Sequence, residues 1–196
     1  ETDFVAKNDD FSKLANYFIE LALESSSDSL EDFLKLNYLD SELTISEKIT
    51  EQSGVIGEKI EISYFDKIVS EKVVAYNHPG NQIASLVGLT KDAEDIGKQV
   101  AMQIAAMNPI ALDQDSVSQD IIDREIEVGK ELAIQEGKPL EMAEKIAKGR
   151  LNKFFKETTL VNQAFIRDSK KSVGQFLKES DPDLTVTSFK RYSLSI

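Results

Sequence analysis

The sequence contains one histidine, His78, and no cysteine. With thiolate chemistry removed, His78 is the residue best suited to proton transfer near neutral pH. A Ser-His-Asp arrangement would have to recruit it, yet no serine stands in a nucleophile-elbow motif. His78 also lies within Asn77-His78-Pro79-Gly80-Asn81, a stretch rich in turn formers, so the other reading is an exposed turn residue. The glycines are scattered and form neither GxxxxGK[ST] nor GxGxxG. Any action on a nucleotide would therefore have to pass through a partner that binds it. Asp113 with Asp115, and Asp181 with Asp183, pair carboxylates without the spacing of a calcium loop and read as solvated surface. No catalytic residue, cofactor or metal-ligand set is expected.

Recognition is better represented than catalysis. Asp3 and Phe4 put a charge beside a large ring in a segment that reads as a loop before a helix. A ring left in water forgoes roughly 1.5–3 kcal/mol of burial. Either Phe4 tucks onto its own core while Asp3 helps to cap the helix, or the pair faces a partner. Ile56-Gly57 has two readings of the same kind, as the entry to a strand or as a contact surface. Charge narrows the partner class. Lys and Arg number 23 against 35 Asp and Glu, a net charge of −12. Nucleic-acid affinity comes from neutralised phosphates, and anionic membranes repel acidic surfaces, so a protein partner with a basic or mixed face fits best. No apolar run approaches the ~20 residues of a membrane span, and the opening residues have no signal-peptide pattern. The absence of cysteine agrees with a reducing compartment.

The elements that must position these residues follow from periodicity. Phe11, Leu14, Ala15, Phe18 and Ala22 make one apolar stripe, predicting a helix over 9–25 capped by Asn8 or Asp10. A short helix over 30–36 has Ser29 and Asp32 in capping-box spacing. A third over 45–53 has Thr44 with Glu47 and a stop at Gly54. Alternation at Ile60, Ile62 and Tyr64 predicts a strand over 60–64, and 73–76 with 83–89 predict a hairpin around His78. Helices follow over 92–107, 117–136 and 139–156, the last two joined by Gly137-Lys138-Pro139 as a hairpin. The small-residue ridge Ala93, Gly97, Ala101 and Ala105 invites close approach of another backbone. Residues 160–166 read as strand or loop, 169–178 as a helix capped by Ser169, and 184–196 as a strand.

Thr2-Asp3-Phe4-Val5-Ala6-Lys7-Asn8 closely resembles the signature of the elongation factor Ts family of guanine-nucleotide exchange factors. Ile56-Gly57-Glu58-Lys59-Ile60, Tyr76-Asn77-His78-Pro79-Gly80, Ala101-Met102-Gln103-Ile104-Ala105-Ala106 and Glu136-Gly137-Lys138-Pro139 recur in the family's order. So do Lys148-Gly149-Arg150-Leu151 and Ser172-Val173-Gly174-Gln175-Phe176-Leu177. The resemblance spans nearly the whole chain.

Turn residues followed by an Asp-rich cap and an apolar-studded helix occur at Asn8–Ser25 and again at Lys91–Met107, so an α+β fold is expected: two related subdomains with small antiparallel sheets and packed helices, plus an inserted helical (coiled-coil) hairpin, whose projection from the core the resemblance favours. The expected division is 1–70, then 71–112 with 158–196, and the insertion 113–157. The resemblance implies a cytoplasmic, non-enzymatic factor that promotes GDP release from elongation factor Tu by disturbing that partner's magnesium and phosphate site. Asp3, Phe4, Ile56, Gly57, His78 and Gly80 are the partner-binding residues so implied, with no direct nucleic-acid or membrane contact. Pro79 departs from the commoner family pattern, in which histidine runs directly into glycine. The family begins with a small helical domain and a strand ahead of the Thr-Asp-Phe-Val motif, so a fragment is expected, with an unpaired edge in its first sheet. The alternative is a non-catalytic scaffold whose working surface is the hairpin, which could also pair with a second copy.

Overall fold

The computed structural model describes residues 3–39 and 41–194; Glu1 and Thr2 of the motif and the end of the strand expected over 184–196 lie outside the described residues. The chain divides into two compact units, one ending at Lys67 and the other beginning at Ile68. Mixed helices and small antiparallel sheets place it in the α+β class.

The first unit is helical. The Asp3-Phe4 segment, expected as a loop, forms the helical turn α1 (Asp3–Ala6), closed by the Asn8 amide donating to the Val5 carbonyl at 2.9 Å. Asn8 is the cap of α2 (Asp9–Glu24): its Oδ1 accepts from the amides of Asp10 at 2.8 Å and Phe11 at 3.3 Å. Ser29 caps α3 (Leu30–Leu34), and Thr44 with Glu47 completes a reciprocal capping box on α4 (Ile45–Ile56). These short-range bonds satisfy amides that helix geometry leaves without partners. The core joins Leu14 and Phe18 to Phe33, Ile45 and Ile49.

Two further expectations fail in this unit. Helix α4 runs through Gly54 and stops at Gly57 instead. Residues 60–64 form no strand, although their alternation is real: Ile60 and Ile62 turn onto the core while Tyr64 is exposed. A strand needs a neighbouring ladder. The Ile60 amide instead donates to Ser53 Oγ at 3.0 Å, and the segment ends with Phe65 stacked on Phe33 at 4.9 Å.

The second unit is built on a sheet of order β1-β2-β5, with β1 (Lys72–Asn77), β2 (Ile83–Leu89) and β5 (Val186–Ser193) all antiparallel. Helix α5 (Glu94–Met107) lies on one face. Its small-residue ridge meets the sheet: a Cβ at Gly97 would stand 2.6 Å from Val74 Cγ2. Buried Ser85 donates to the Ala101 carbonyl at 2.8 Å. Helices α6 (Gln119–Gln135) and α7 (Leu140–Thr158) pack along each other. Gly129 lies against Ala147, Lys130 pairs with Glu144 at 3.4 Å, and Ala133 and Ala143 are fully buried.

After α7 the chain makes a small hairpin, β3 (Ala164–Phe165) with β4 (Asp168–Ser172), before α8 (Val173–Ser180). The expected helix from Ser169 therefore starts later. Ser172 and Gln175 form the capping box, Ser172 Oγ accepting from the Gln175 amide at 3.2 Å. Ser169 lies in β4 because residues 168–172 have a pairing strand beside them.

The sheet end of α5 carries a pH-sensitive contact. Glu94 meets Lys98 at 2.8 Å and Lys72 at 3.1 Å, and hydrogen bonds from Lys98 first, then Lys72, lower its carboxyl from 4.5 to about 2. A carboxylate favoured in the folded state stabilises fully above its unfolded pKa and ceases to do so as pH falls through its folded one. Thermal melts between pH 4.5 and 2 should lose stability less steeply in Glu94→Gln than in the parent chain.

Candidate functional site

The residues singled out for recognition fall in both units. In the first, α1 presents Phe4 outward, the residue being 84% exposed, while the adjacent Val5 is buried. One turn of helix suffices for this, because successive residues point about 100° apart. The reading in which Phe4 tucks onto its own core therefore does not hold; Val5 holds the turn down instead. Asp3 opens the turn, and its side chain lies outside what the structure describes.

Ile56 and Gly57 terminate α4 rather than leading into a strand. Gly57 has φ 80°, and its amide donates to the Ser53 carbonyl at 2.9 Å. A left-handed residue at this position frees the chain to turn, and glycine takes that conformation without steric cost. Ile56 is half-buried, whereas Val55 beside it is exposed. The exposed apolar side chain at the end of α4 is therefore one that sequence reasoning passed over. Helical periodicity carried to Gly57, rather than stopped at Gly54, would have found it.

In the second unit His78 and Gly80 share the turn between β1 and β2. The Asn81 amide donates to the His78 carbonyl at 2.9 Å, and the His78 amide donates to the Ile83 carbonyl at 2.8 Å. Pro79 takes the second turn position and Gly80, with φ 95°, the third. Proline followed by a positive-φ glycine is the chemistry of a type II turn. Pro79 is thus built into the turn that displays the histidine. The ring itself is held: Tyr76 Oη and His78 Nδ1 lie 2.9 Å apart, with the rings edge to face at 6.0 Å. Nε2 makes no hydrogen bond among the described residues. Tyr76 went unremarked in the sequence as a positioning residue, although its place two residues before His78 puts both on one side of the strand.

Asp3 with Phe4 sits at one end of the first unit's chain path and Ile56 with Gly57 at the other; His78 and Gly80 are brought together in one turn. These groups offer shape, an exposed ring and a held imidazole. Among the described residues no cluster of three His, Asp or Glu side chains converges to hold a metal ion, and no helix is long and apolar enough to cross a membrane.

Comparison with known proteins gives one family. The sequence model described as Elongation factor TS matches residues 1–195. Elongation factor Ts of Christiangramia forsetii is 51% identical over 197 residues, covering 99% of this chain and 70% of that protein. Elongation factor Ts of Amoebophilus asiaticus is 48% identical over 195 residues, with 97% and 70% covered. Elongation factor Ts of Porphyromonas gingivalis is 39% identical over 196 residues, with 100% and 71% covered.

Proposed function

This chain belongs to the elongation factor Ts family, and from that membership we infer that it is a guanine-nucleotide exchange factor, promoting GDP release from elongation factor Tu during translation elongation. The observation that carries the residue-level reading is Phe4, exposed on a helical turn anchored by Val5.

Phe4 acts as an apolar wedge into the partner, and Asp3 supplies a directed charge beside it. The target is the partner's magnesium and phosphate site. Magnesium demands near-ideal octahedral geometry at ~2.0–2.1 Å, so a small displacement of its supports weakens it and leaves the GDP phosphates less neutralised. Ile56 and Gly57 at the end of α4, and His78 and Gly80 at the β1–β2 turn, make the remaining contacts with the nucleotide-binding protein. Tyr76 keeps the imidazole aimed. Exchange obeys linkage: a factor that weakens GDP binding is itself weakened by GDP to the same degree. It therefore favours the nucleotide-free partner and needs no phosphate-binding motif of its own. The work takes place in the cytoplasm. Helices α6 and α7 form an inserted coiled-coil hairpin, 113–157, within a C-terminal core made of 71–112 and 158–196, and 1–70 form the N-terminal core.

The test is release of fluorescent GDP from magnesium-bound elongation factor Tu, with and without this chain. The expected result is faster release that saturates with added chain. Unchanged release in a mixture where complex formation is verified would overturn the exchange reading and favour a scaffold built on the hairpin.

A further inference from the structure

The turn between β1 and β2 is braced more heavily than a strand reversal requires. Beyond its backbone hydrogen bonds, Asn77 Nδ2 donates to Asn81 Oδ1 at 2.8 Å across the turn. Residues 77–81 are all exposed. Water offers the same hydrogen bonds to an exposed group, so such a brace adds little to folding stability. It does remove freedom before any ligand arrives, and order already in place need not be supplied on binding. A turn held in this way is suited to presenting one atom in one place.

The chemistry of the Tyr76–His78 contact says which atom that is and what it carries. Tyr76 is half-buried, with its ring packed on the core beneath the sheet, so it is a fixed post beside the imidazole. Its hydroxyl makes no hydrogen bond among the described residues other than the one with His78 Nδ1. A neutral imidazole carries one ring N–H, and the hydrogen bond made by one nitrogen decides what the other carries. Between a phenol and an imidazole, the phenol O–H is the better donor and the bare ring nitrogen the better acceptor. The 2.9 Å contact is therefore Oη–H donating to Nδ1. The ring hydrogen is then on Nε2, the nitrogen without a hydrogen bond among the described residues.

We propose that Tyr76 is a positioning residue that fixes the tautomer of His78, so that the turn offers a single N–H donor at Nε2 and the group it meets on its partner is a hydrogen-bond acceptor. This rests on the exchange-factor reading, in which the turn meets elongation factor Tu, and adds to it the kind of group that the histidine recognises there. Tyr76 acts through the ring alone. A partner donor facing this turn would find another N–H at Nε2, and two unpaired donors exclude each other.

His78 is the only histidine, so one pair of ring signals in a long-range nitrogen–proton NMR spectrum of the labelled whole chain reports it. At about pH 9, where an ordinary histidine is neutral, Nδ1 should resonate as a bare nitrogen and Nε2 as a protonated one. In Tyr76→Phe, which keeps the packed ring and loses only the hydroxyl, the two shifts should move toward each other as the tautomers mix. Thermal melts should coincide, because the hydroxyl meets only an exposed ring. In GDP release, Tyr76→Phe should raise the half-saturating concentration of the chain about threefold or more, the worth of one hydrogen bond, with the maximal rate nearly unchanged. His78→Ala should raise it at least as far. Adding Tyr76→Phe to His78→Ala should raise it no further, because a residue that acts through the ring has nothing to act on once the ring is gone. In the complex with elongation factor Tu, the Nε2 hydrogen should appear as a slowly exchanging signal. A protonated Nδ1 in the parent chain, or unaltered shifts in Tyr76→Phe, would overturn the tautomer. Additive effects of the two substitutions would make Tyr76 a structural residue, and a bare Nε2 in the complex would overturn the acceptor. The spectra of the free chain need no partner, so failure of the exchange reading is told apart from failure here.

Discussion

Phe4→Ala is expected to cut the acceleration of GDP release by about 30-fold or more, the equivalent of losing a central aromatic anchor worth over ~2 kcal/mol. The chain should fold as before, because a residue that is 84% exposed gives up almost no burial when truncated. Val5→Ala provides the contrast. Val5 is buried, so losing its two methyl groups should loosen α1 by roughly 1–2 kcal/mol while leaving the ring in place. Stopped-flow release of fluorescent GDP, paired with thermal melts, separates the two. A Phe4→Ala chain with normal melting and normal exchange would remove Phe4 from the mechanism. Normal melting with lost exchange would make it the wedge.

Gln103→Ala is expected to destabilise the second unit by about 3–5 kcal/mol, a loss read by denaturant titration of the whole chain. Gln103 is fully buried in α5 and links segments about sixty residues apart. Its Nε2 donates to Gln163 Oε1 at 3.1 Å and to the Ala164 carbonyl at 3.1 Å, while its Oε1 accepts from the Ile166 amide at 2.8 Å. Gln163 in turn donates to the carbonyls of Met107 at 3.2 Å and Glu157 at 2.9 Å. Among the described residues no buried side-chain nitrogen or oxygen lacks a partner, so the network is complete. Truncation leaves buried polar groups unpaired and a cavity as well, and these penalties act together. Gln103→Glu should also destabilise strongly, because it removes the Nε2 donor and buries a carboxylate beside the Gln163 and Ala164 oxygens. A change below ~1 kcal/mol for Gln103→Ala would mean that water readily replaces the amide.

This glutamine was visible in the sequence only as part of Ala101-Met102-Gln103-Ile104-Ala105-Ala106, where nothing local marks it as buried. Its partners Gln163, Ala164 and Ile166 are distant in the chain. The helix limits were far more legible. Asn8, Ser29 and Thr44 cap where their types and spacing say they should, since a cap bonds an amide only two or three residues away. The turn around His78 was legible for the same reason, with Pro79 and Gly80 fitting adjacent turn positions.

What the sequence by itself determined is therefore of short range, together with the family that its motifs identify: helix starts, the hairpin turn, the small-residue ridge of α5 and the Thr-Asp-Phe-Val signature. Tertiary structure decided whatever depends on a distant neighbour. Ile60, Ile62 and Tyr64 alternate as a strand would, but Ser53 takes the Ile60 amide and no ladder forms. Ser172 rather than Ser169 caps α8 because β3 lies beside residues 168–172. Val5 is buried and Phe4 is not, a choice between two adjacent apolar residues that composition cannot make. Hydrogen bonds within a turn are set by residue type and spacing, whereas burial and pairing are set by what the rest of the fold brings alongside.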